Sequence, residues 1–145
     1  MKTRLVQIDD YKQLINLLRQ LKPKDPQAPE IERRVFEEII DSRNLDLIVA
    51  EKEGKLLGTC YLNIIPNLTA GGRPYAVIEN VVTDSTHRNK GIGKAVLNWA
   101  IERAWQSNCY KVMLMSGRSD ESVHGFYRSC GFDADEKKAY ILRAP

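Results

Sequence analysis

A strong strand pattern, a pair of glycines and an amphipathic helix follow one another in the second half of the chain. The segment YAVIENVVT (75–83) is rich in β-branched residues, which favour strands. RNKGIGKAV (88–96) follows and leads into a helical pattern that ends near Ser107. The next segment, KVMLM (111–115), is short and continuously apolar, as buried parallel strands are. This order predicts a strand–helix–strand crossover in a sheet that carries helices on its faces.

The remaining segments predict a single mixed-sheet domain over residues 1–145, with elements in the order β-α-α-β-β-β-α-β-α-β. Three prolines in KPKDPQAP (22–29) separate the first two helices, and KEGK forms a hairpin turn. Asp9 or Asp10 is expected to cap the first helix, and Asp120 to begin the fourth, which Gly131 ends. The other strands are predicted at 3–8, 45–51, 56–65 and 139–143. Helical spacing assigns to the buried faces of the second and third helices Ile31, Val35, Phe36, Ile39, Leu97, Ala100, Ile101, Ala104 and Trp105.

Charge, cysteine count and hydropathy exclude several classes of protein. The 145 residues carry a net charge of +3 with Lys and Arg scattered among Asp and Glu, which suits a small anionic ligand and not a nucleic acid. Cys60, Cys109 and Cys130 have neither metal-site nor disulfide spacing, so we expect reduced core thiols, a cytoplasmic location and no metal. No apolar run is long enough for a membrane span, and the first residues lack a signal-peptide core.

The two glycines of RNKGIGKAV suggest an anion-binding site. A helix N-terminus offers unpaired N–H groups and the positive end of a dipole, and Gly91 and Gly93 would leave those groups accessible. Arg88, Lys90 and Lys94 add positive charge. The spacing does not fit a Walker loop, and the dinucleotide fingerprint would need a third glycine. A pyrophosphate group is one candidate ligand, and a merely flexible strand-to-helix turn is the other interpretation.

Two motifs together resemble the GNAT superfamily of N-acetyltransferases. The signature Gln/Arg-x-x-Gly-x-Gly/Ala matches Arg88, Gly91 and Gly93, and a later LYxxxGF-like element matches FYRSCGF (126–132). The segments IEN, CYKV and FYRSCGF are also similar to glucosamine-6-phosphate N-acetyltransferases, whereas the N-terminal half offers no comparable match. The resemblance implies acetyl-CoA as the cosubstrate. It also implies a mixed α/β fold, with about six to seven strands in a central sheet and about four flanking helices.

The resemblance assigns two segments to the coenzyme. Strand four ends in Val81, Val82 and Thr83, whose backbone groups would face the pantetheine arm where the family splays strands four and five. Asp120 stands where many relatives carry an asparagine that contacts this arm, so it either keeps the contact or only caps a helix. The pyrophosphate would be held by Arg88, Asn89, Lys90, Gly91, Ile92, Gly93 and Lys94.

Acetyl transfer also requires a neutral amine and a proton for the leaving thiolate. An alkyl amine has a pKa of about 10.4, so a base or a water chain must take its proton at neutral pH. Glu79 matches the glutamate position of the glucosamine-phosphate relatives; it would orient water or act with a raised pKa, unless it is a solvent-facing strand residue. Tyr127 is implied as the acid for the thiolate, unless it is an amphipathic core residue. His124, one turn before Tyr127, is a further candidate for the proton path.

The acceptor and the assembly are less determined by the sequence. Residues 22–34 and 66–74 are expected to border the acceptor pocket by family analogy, and their mixed charge leaves a small metabolite, a polyamine and a peptide N-terminus open. Acetyl transfer to a primary amine is the leading function, and a non-catalytic acyl-CoA-binding sensor is the alternative. Relatives often pair through C-terminal strands, which suggests a homodimer, with neither nucleic acid nor membrane as a partner.

Overall fold

The computed structural model describes all 145 residues and divides into two units, Met1–Leu114 and Met115–Pro145. The first unit contains a five-stranded mixed sheet. Four antiparallel strands follow one another in chain order, and the fifth lies parallel to the fourth at the edge. The strands span Lys2–Leu5 (β1), Leu45–Lys52 (β2), Lys55–Ile65 (β3), Tyr75–Thr83 (β4) and Val112–Leu114 (β5). The helices span Tyr11–Leu21 (α1), Pro29–Ile40 (α2), Ile92–Gln106 (α3) and, in the second unit, Glu121–Ser129 (α4).

The predicted crossover and the mixed α/β class are confirmed. Helix α3 connects β4 to β5, and the two strands pair in parallel from Ala76–Val112 to Ile78–Leu114. The sheet has five strands instead of the six to seven that were expected. The predicted last strand, 139–143, has no regular structure. A strand exists only where a neighbour exchanges hydrogen bonds with it, and the second unit contains no other strand.

Helices α1 and α2 cover one face of the sheet. The rings of Tyr11 and Phe36 lie 5.2 Å apart and join the two helices. The prediction for α2 is wrong at two positions, because Ile31 and Val35 are exposed and Phe36 carries the packing. The apolar cluster on this face consists of Leu14, Leu17, Phe36, Leu47, Val49, Leu56 and Val82.

Helix α3 packs against strands β2, β3 and β4. Its first turn comes unusually close to β3 at Gly58, where a Cβ would lie 2.6 Å from the Ile92 Cγ2 atom. Ile92 is only 3% exposed and cannot move aside, so the missing side chain at Gly58 sets the depth of the helix start. Leu97, Ala100 and Ala104 are buried as predicted. The prediction for Trp105 is wrong: it directly follows Ala104 but lies off the buried face and is 52% exposed.

An ionic network joins β1 and β2 to the turn before α1. The Arg4 guanidinium donates two hydrogen bonds to the Asp10 carboxylate, at 2.6 and 3.0 Å, and two to Glu51, at 2.9 and 2.7 Å. The second Asp10 partner is the Gln7 N–H, at 2.7 Å. The expected capping of α1 by Asp9 or Asp10 is wrong, because no side chain caps that helix and the Asp10 carboxylate is used by Arg4 instead.

The second unit, Met115–Pro145, holds helix α4 between irregular segments. Gly131 follows the helix with a φ of 94°, a left-handed conformation that glycine adopts easily, so the predicted end of this helix is confirmed. Arg128 on α4 pairs with Glu121, two helical turns earlier. None of the four helices has the length and hydropathy that crossing a membrane requires.

We expect the stability of the protein to depend on pH through Asp10. Hydrogen bonds from Arg4 hold the pKa of the Asp10 carboxyl below its ordinary value, so this contribution is present above the pKa of the unfolded state and is lost as the pH falls through the folded-state pKa. Asp10→Asn should lower the free energy of unfolding by roughly 1–3 kcal/mol at pH 7, because Arg4 loses one of its two carboxylate partners. Urea unfolding at pH 7 and at pH 3 measures the effect.

The difference between the wild type and Asp10→Asn should shrink at pH 3, which lies below the ordinary pKa of the carboxyl, because the unfolded state then binds a proton that the folded carboxylate resists. Glu38→Gln is the control, since it removes a solvent-exposed pair with Arg34 at 3.9 Å and should cost less than about 0.5 kcal/mol. A cost for Asp10→Asn that is the same at both pH values would contradict the linkage.

Candidate active site

The glycine loop, residues 88–94, ends in backbone N–H groups that have no acceptors within the protein. Gly91 is the N-cap of α3, with φ 78° and ψ 3°, and no side chain caps the helix. The Ala95 N–H is bonded to the Gly91 carbonyl at 3.0 Å, and the four N–H groups before it, those of residues 91–94, donate to no other protein group. Such a run of donors at the positive end of a 15-residue helix is suited to an anion.

The space and the charge around the loop fit a phosphate group. A Cβ built on Gly91 would meet no atom within 4 Å, so this part of the backbone faces open space. Asn89 and Gly91 both have left-handed backbones, with φ of 60° and 78°, and such residues turn successive N–H groups toward a common side. Three cations of the loop are exposed: Arg88, Lys90 and Lys94.

The side chains at the start of α3 divide between the core and the loop. Ile92 is buried, so only its backbone N–H is available to a ligand. Gly93 lies in the first turn of the helix and adds no side chain beside the donors. The structure thus brings together the residues that the sequence assigned to the pyrophosphate, with the donors supplied by the backbone.

Strand β4 extends beyond its parallel neighbour. Its pairing with β5 ends at Ile78 and Leu114, whereas β4 continues to Thr83. On its other side β4 remains paired with β3, and the Asp84 N–H donates to a β3 carbonyl at 2.8 Å. Because backbone groups alternate along a strand, the N–H and C=O of Thr83 point away from β3. An extended chain with amide groups can bind to such an edge as an added strand does.

A β-bulge lies where this open edge begins. The β3–β4 register shifts by one residue between the pairs Thr59–Val82 and Tyr61–Glu79. Asn80 lies at the shift with a φ of 52°, a left-handed conformation that asparagine tolerates better than most residues. A bulge increases the local twist of its strand, and this one follows directly after the last β4–β5 pair, Ile78–Leu114.

Glu79 is exposed and lies directly across from Tyr61 of β3. Opposite residues in a sheet share a face, and Tyr61 packs with the α1–α2 cluster, so the Glu79 side chain lies on the face that α1 and α2 cover. Burial raises the pKa of the Tyr61 phenol, an effect partly offset by a hydrogen bond with Asn80. The residue across from Glu79 is therefore a tyrosine whose phenol stays protonated at neutral pH.

The second unit carries the other candidate residues. The Tyr127 ring lies half-buried on α4, with its centre 5.2 Å from that of Phe126 and 6.3 Å from that of Phe132. Asp120 stands at the N-cap position, but its carboxylate accepts a hydrogen bond from Arg118 at 2.9 Å and none from the helix. The alternative that the Asp120 side chain serves as a helix cap is therefore wrong.

Burial disfavours the nucleophilic thiolate form of two cysteines. Burial raises the pKa of Cys60 to about 12, and its thiol donates to the Val96 carbonyl oxygen at 3.8 Å. Burial also raises the pKa of Cys109. Cys130 is half-buried, which corrects the prediction that it is a fully buried core thiol. No group of three or more His, Cys, Asp or Glu side chains could hold a metal ion.

Comparison with known families connects this geometry to a chemistry. Residues 11–132 match the acetyltransferase (GNAT) family, and this match covers both the glycine loop and α4. The chain belongs to the GNAT acetyltransferase family.

Individual relatives extend the comparison over most of this acetyltransferase. A glucosamine 6-phosphate N-acetyltransferase of Trypanosoma brucei brucei is 35% identical over 117 residues, which cover 77% of this chain and 78% of the relative. Among solved structures, a putative acetyltransferase from Agrobacterium tumefaciens str. C58 has a TM-score of 0.93 at 41% identity and covers 99% of this chain and 100% of its own. The glucosamine-6-phosphate N-acetyltransferase of Arabidopsis thaliana has a TM-score of 0.84 at 29% identity, with 97% of each chain covered.

Membership of the family confirms the predicted activity. The protein is an acetyl-CoA-dependent N-acetyltransferase that transfers the acetyl group to an amine. The non-catalytic sensor is not favoured, since the relatives with assigned activities are enzymes. A small-molecule amine suits the acceptor side of such an enzyme.

Sequence reasoning missed two features of the site. The bulge at Asn80 was not predicted, although an asparagine inside a β-branched run was a signal, because asparagine is depleted in strands and enriched at left-handed positions. The early end of β5 was also missed. KVMLM suggests five strand residues, but the strand spans only Val112–Leu114, and its pairing with β4 ends at Ile78.

We expect the glycine loop to control the affinity for coenzyme A. Gly91→Asn keeps a residue that tolerates the left-handed backbone but puts an amide side chain before the donors, so the dissociation constant of coenzyme A should rise about tenfold. Titration calorimetry with coenzyme A measures this change.

Gly54→Asn is the matched control for this loop. Gly54 has a φ of 75° and open space around it, but it lies in the β2–β3 turn, so its substitution should carry the same backbone strain without changing the affinity. If Gly91→Asn binds coenzyme A as the wild type does, the glycine loop is not the pyrophosphate site.

Proposed function

We propose that this acetyltransferase acts on an amino sugar phosphate of the glucosamine 6-phosphate class. The proposal is carried by the similarity, over most of the chain, to enzymes that are named for this acceptor. Such an acceptor presents an amine at one end and a phosphate at the other, so its site requires positive charge away from the reacting amine.

The segment after α1 offers positive charge of this kind. Lys22 and Lys24 are exposed there, within the region expected to border the acceptor. Arg73, the other cation considered for an anionic acceptor, already donates to the carbonyl oxygens of Asn108 and Cys109 at 3.2 and 3.1 Å. The two lysines are therefore the better candidates for the acceptor phosphate.

For the cosubstrate, the proposal assigns the diphosphate of acetyl-CoA to the N–H groups of residues 88–94. The exposed cations Arg88, Lys90 and Lys94 attract it over a longer range. The amides of the pantetheine arm pair with the open edge of β4 at residues 81–83, which holds the thioester near the bulge. Asp120 is a candidate for contact with the arm, although its carboxylate already pairs with Arg118.

In the chemical step, the neutral amine attacks the thioester carbon and the carbon–sulfur bond breaks. Glu79 orients the water that takes the proton from the amine, a role that its exposure at the bulge supports. A backbone N–H near Val82 faces the developing oxyanion. Tyr127 donates a proton to the departing thiolate, since a phenol with a pKa of about 10 is matched to a thiol near 8.5.

The proposal treats both units as one acetyltransferase domain, because the family match runs through both. It also includes a homodimer formed through the C-terminal segment. Tyr140 and Leu142 are 90% and 98% exposed in a stretch with strand-like sequence, which a second copy would cover by strand pairing. The free cysteines favour a reducing compartment such as the cytoplasm.

We expect the acceptor phosphate to account for most of the acceptor specificity. With acetyl-CoA held at saturation, the kcat/KM for glucosamine 6-phosphate should exceed that for glucosamine by roughly a hundredfold, since charge-assisted hydrogen bonds to the phosphate are lost. Release of free thiol measures both rates. Equal rates would mean that the phosphate is not recognised, and turnover of peptide N-termini alone would overturn the sugar-phosphate assignment.

Tyr127→Phe should separate catalysis from binding. It removes the phenol hydroxyl while keeping the ring, so kcat should fall at least tenfold with the coenzyme A affinity within twofold of the wild type. Adding Phe126→Tyr to the Tyr127→Phe variant puts a hydroxyl at the neighbouring position of the same helix, and this change should not restore the rate. Unchanged kcat in Tyr127→Phe would remove this residue as the acid.

A further inference from the structure

Gln20, near the C-terminal end of α1, connects this helix to the turn that leads into the glycine loop. Its Oε1 atom accepts the Ser85 N–H at 2.9 Å, and its Nε2 donates to the Asp84 carboxylate at 3.0 Å. These are the only hydrogen bonds between α1 and residues 84–91. The amide side chain of Gln20 therefore holds both the Ser85 N–H and the Asp84 carboxylate, in a turn that begins where β4 ends.

Asp84 connects Gln20 to the next residues of the turn through further hydrogen bonds. One of its carboxylate oxygens accepts hydrogen bonds from the Thr86 N–H at 3.0 Å, the Thr86 hydroxyl at 2.6 Å and the His87 ring at 2.9 Å. Its own backbone N–H is bonded to β3. The hydrogen bond from Gln20, followed by those from His87 and Thr86, lowers the pKa of the Asp84 carboxyl, so it stays ionised at neutral pH.

The turn continues directly into the glycine loop. Arg88 follows His87, and the Lys90 ammonium donates to the Thr86 carbonyl oxygen at 3.3 Å. The second half of the loop is held by few internal hydrogen bonds, because the N–H groups of residues 91–94 have no protein acceptors. The position of the loop therefore depends on its two ends, which are the start of α3 and the turn at Asp84.

We propose that Gln20 is a positioning residue for coenzyme A, acting through Asp84 on the glycine loop without touching the ligand. The proposal rests on the assignment of the coenzyme diphosphate to residues 88–94. Its consequence is that a residue of α1 controls the affinity for the cosubstrate and leaves the acetyl-transfer step unchanged once the cosubstrate is bound.

The same helix supplies a matched control. Gln13 lies seven residues before Gln20 and makes the same pair of bonds to another turn, accepting the Leu56 N–H at 3.0 Å and donating to the Gly54 carbonyl at 3.1 Å. Both glutamines are exposed, so their removal should have similar effects on stability. Only Gln20 contacts the turn before the glycine loop.

The experiment compares Gln20→Ala with Gln13→Ala in the full-length protein, using coenzyme A as the titrant and acetyl-CoA as the varied substrate. We expect Gln20→Ala to raise the dissociation constant of coenzyme A and the KM for acetyl-CoA about fivefold, with kcat within twofold of the wild type. Gln13→Ala should leave all three values unchanged. Coenzyme A affinities that are equal in the two variants, or a fall in kcat without a change in KM, would overturn the proposal.

A charge exchange tests the direct pair. Gln20→Glu puts a second carboxylate against Asp84 and should weaken coenzyme A binding at least as much as Gln20→Ala does. Adding Asp84→Asn restores a donor–acceptor pair and should recover at least half of the lost affinity on a logarithmic scale. No recovery in the double variant would overturn the role of the pair.

The Gly91→Asn variant separates a failure of the positioning role of Gln20 from a failure of the pyrophosphate assignment. If Gly91→Asn weakens coenzyme A binding but Gln20→Ala does not, the loop assignment stands and the positioning role fails. If neither substitution changes the affinity, the pyrophosphate site itself is wrong.

Discussion

The backbone N–H groups of residues 91–94, at the positive end of α3, have no protein acceptors, and the coenzyme site that we propose depends on them. Residues 88–91 and 94 are exposed, so water reaches the loop when no ligand is bound. A diphosphate can satisfy several of these donors at once, because its oxygens are close together and charged. The glycine loop therefore offers the donors that an anionic group requires.

The position of these donors depends on contacts some distance away in sequence. Because Gly58 has no side chain, Ile92 packs directly against the backbone of β3, and this contact fixes the first turn of α3. The bulge at Asn80 lies where β4 continues beyond its pairing with β5, beside the thioester position that we propose. At the other end of the loop, Gln20 holds the turn at Asp84. Backbone geometry, more than side-chain chemistry, builds the site.

Much of this fold could be predicted because its signals are local. The strand YAVIENVVT has the predicted bounds, and α3 begins at the glycine pair as expected, since β-branched residues and a glycine at a helix start act within a few residues. Burial was predicted less well. Ile31 and Val35 have the helical spacing of core residues yet are exposed, because α2 packs against the cluster through Phe36, Ile39 and Ile40 instead.

The sequence alone determined the class of the fold, the family and the acetyl-transfer activity, because motifs such as RNKGIGKAV and FYRSCGF carry the family resemblance in short stretches. The tertiary structure decided which groups are available. In the folded chain the Asp120 carboxylate pairs with Arg118, and Arg73 donates to two carbonyl oxygens. Residues 139–143 have no neighbouring strand. A residue's partners come from other segments of the chain, and no local pattern states which of them the fold will bring within hydrogen-bonding distance.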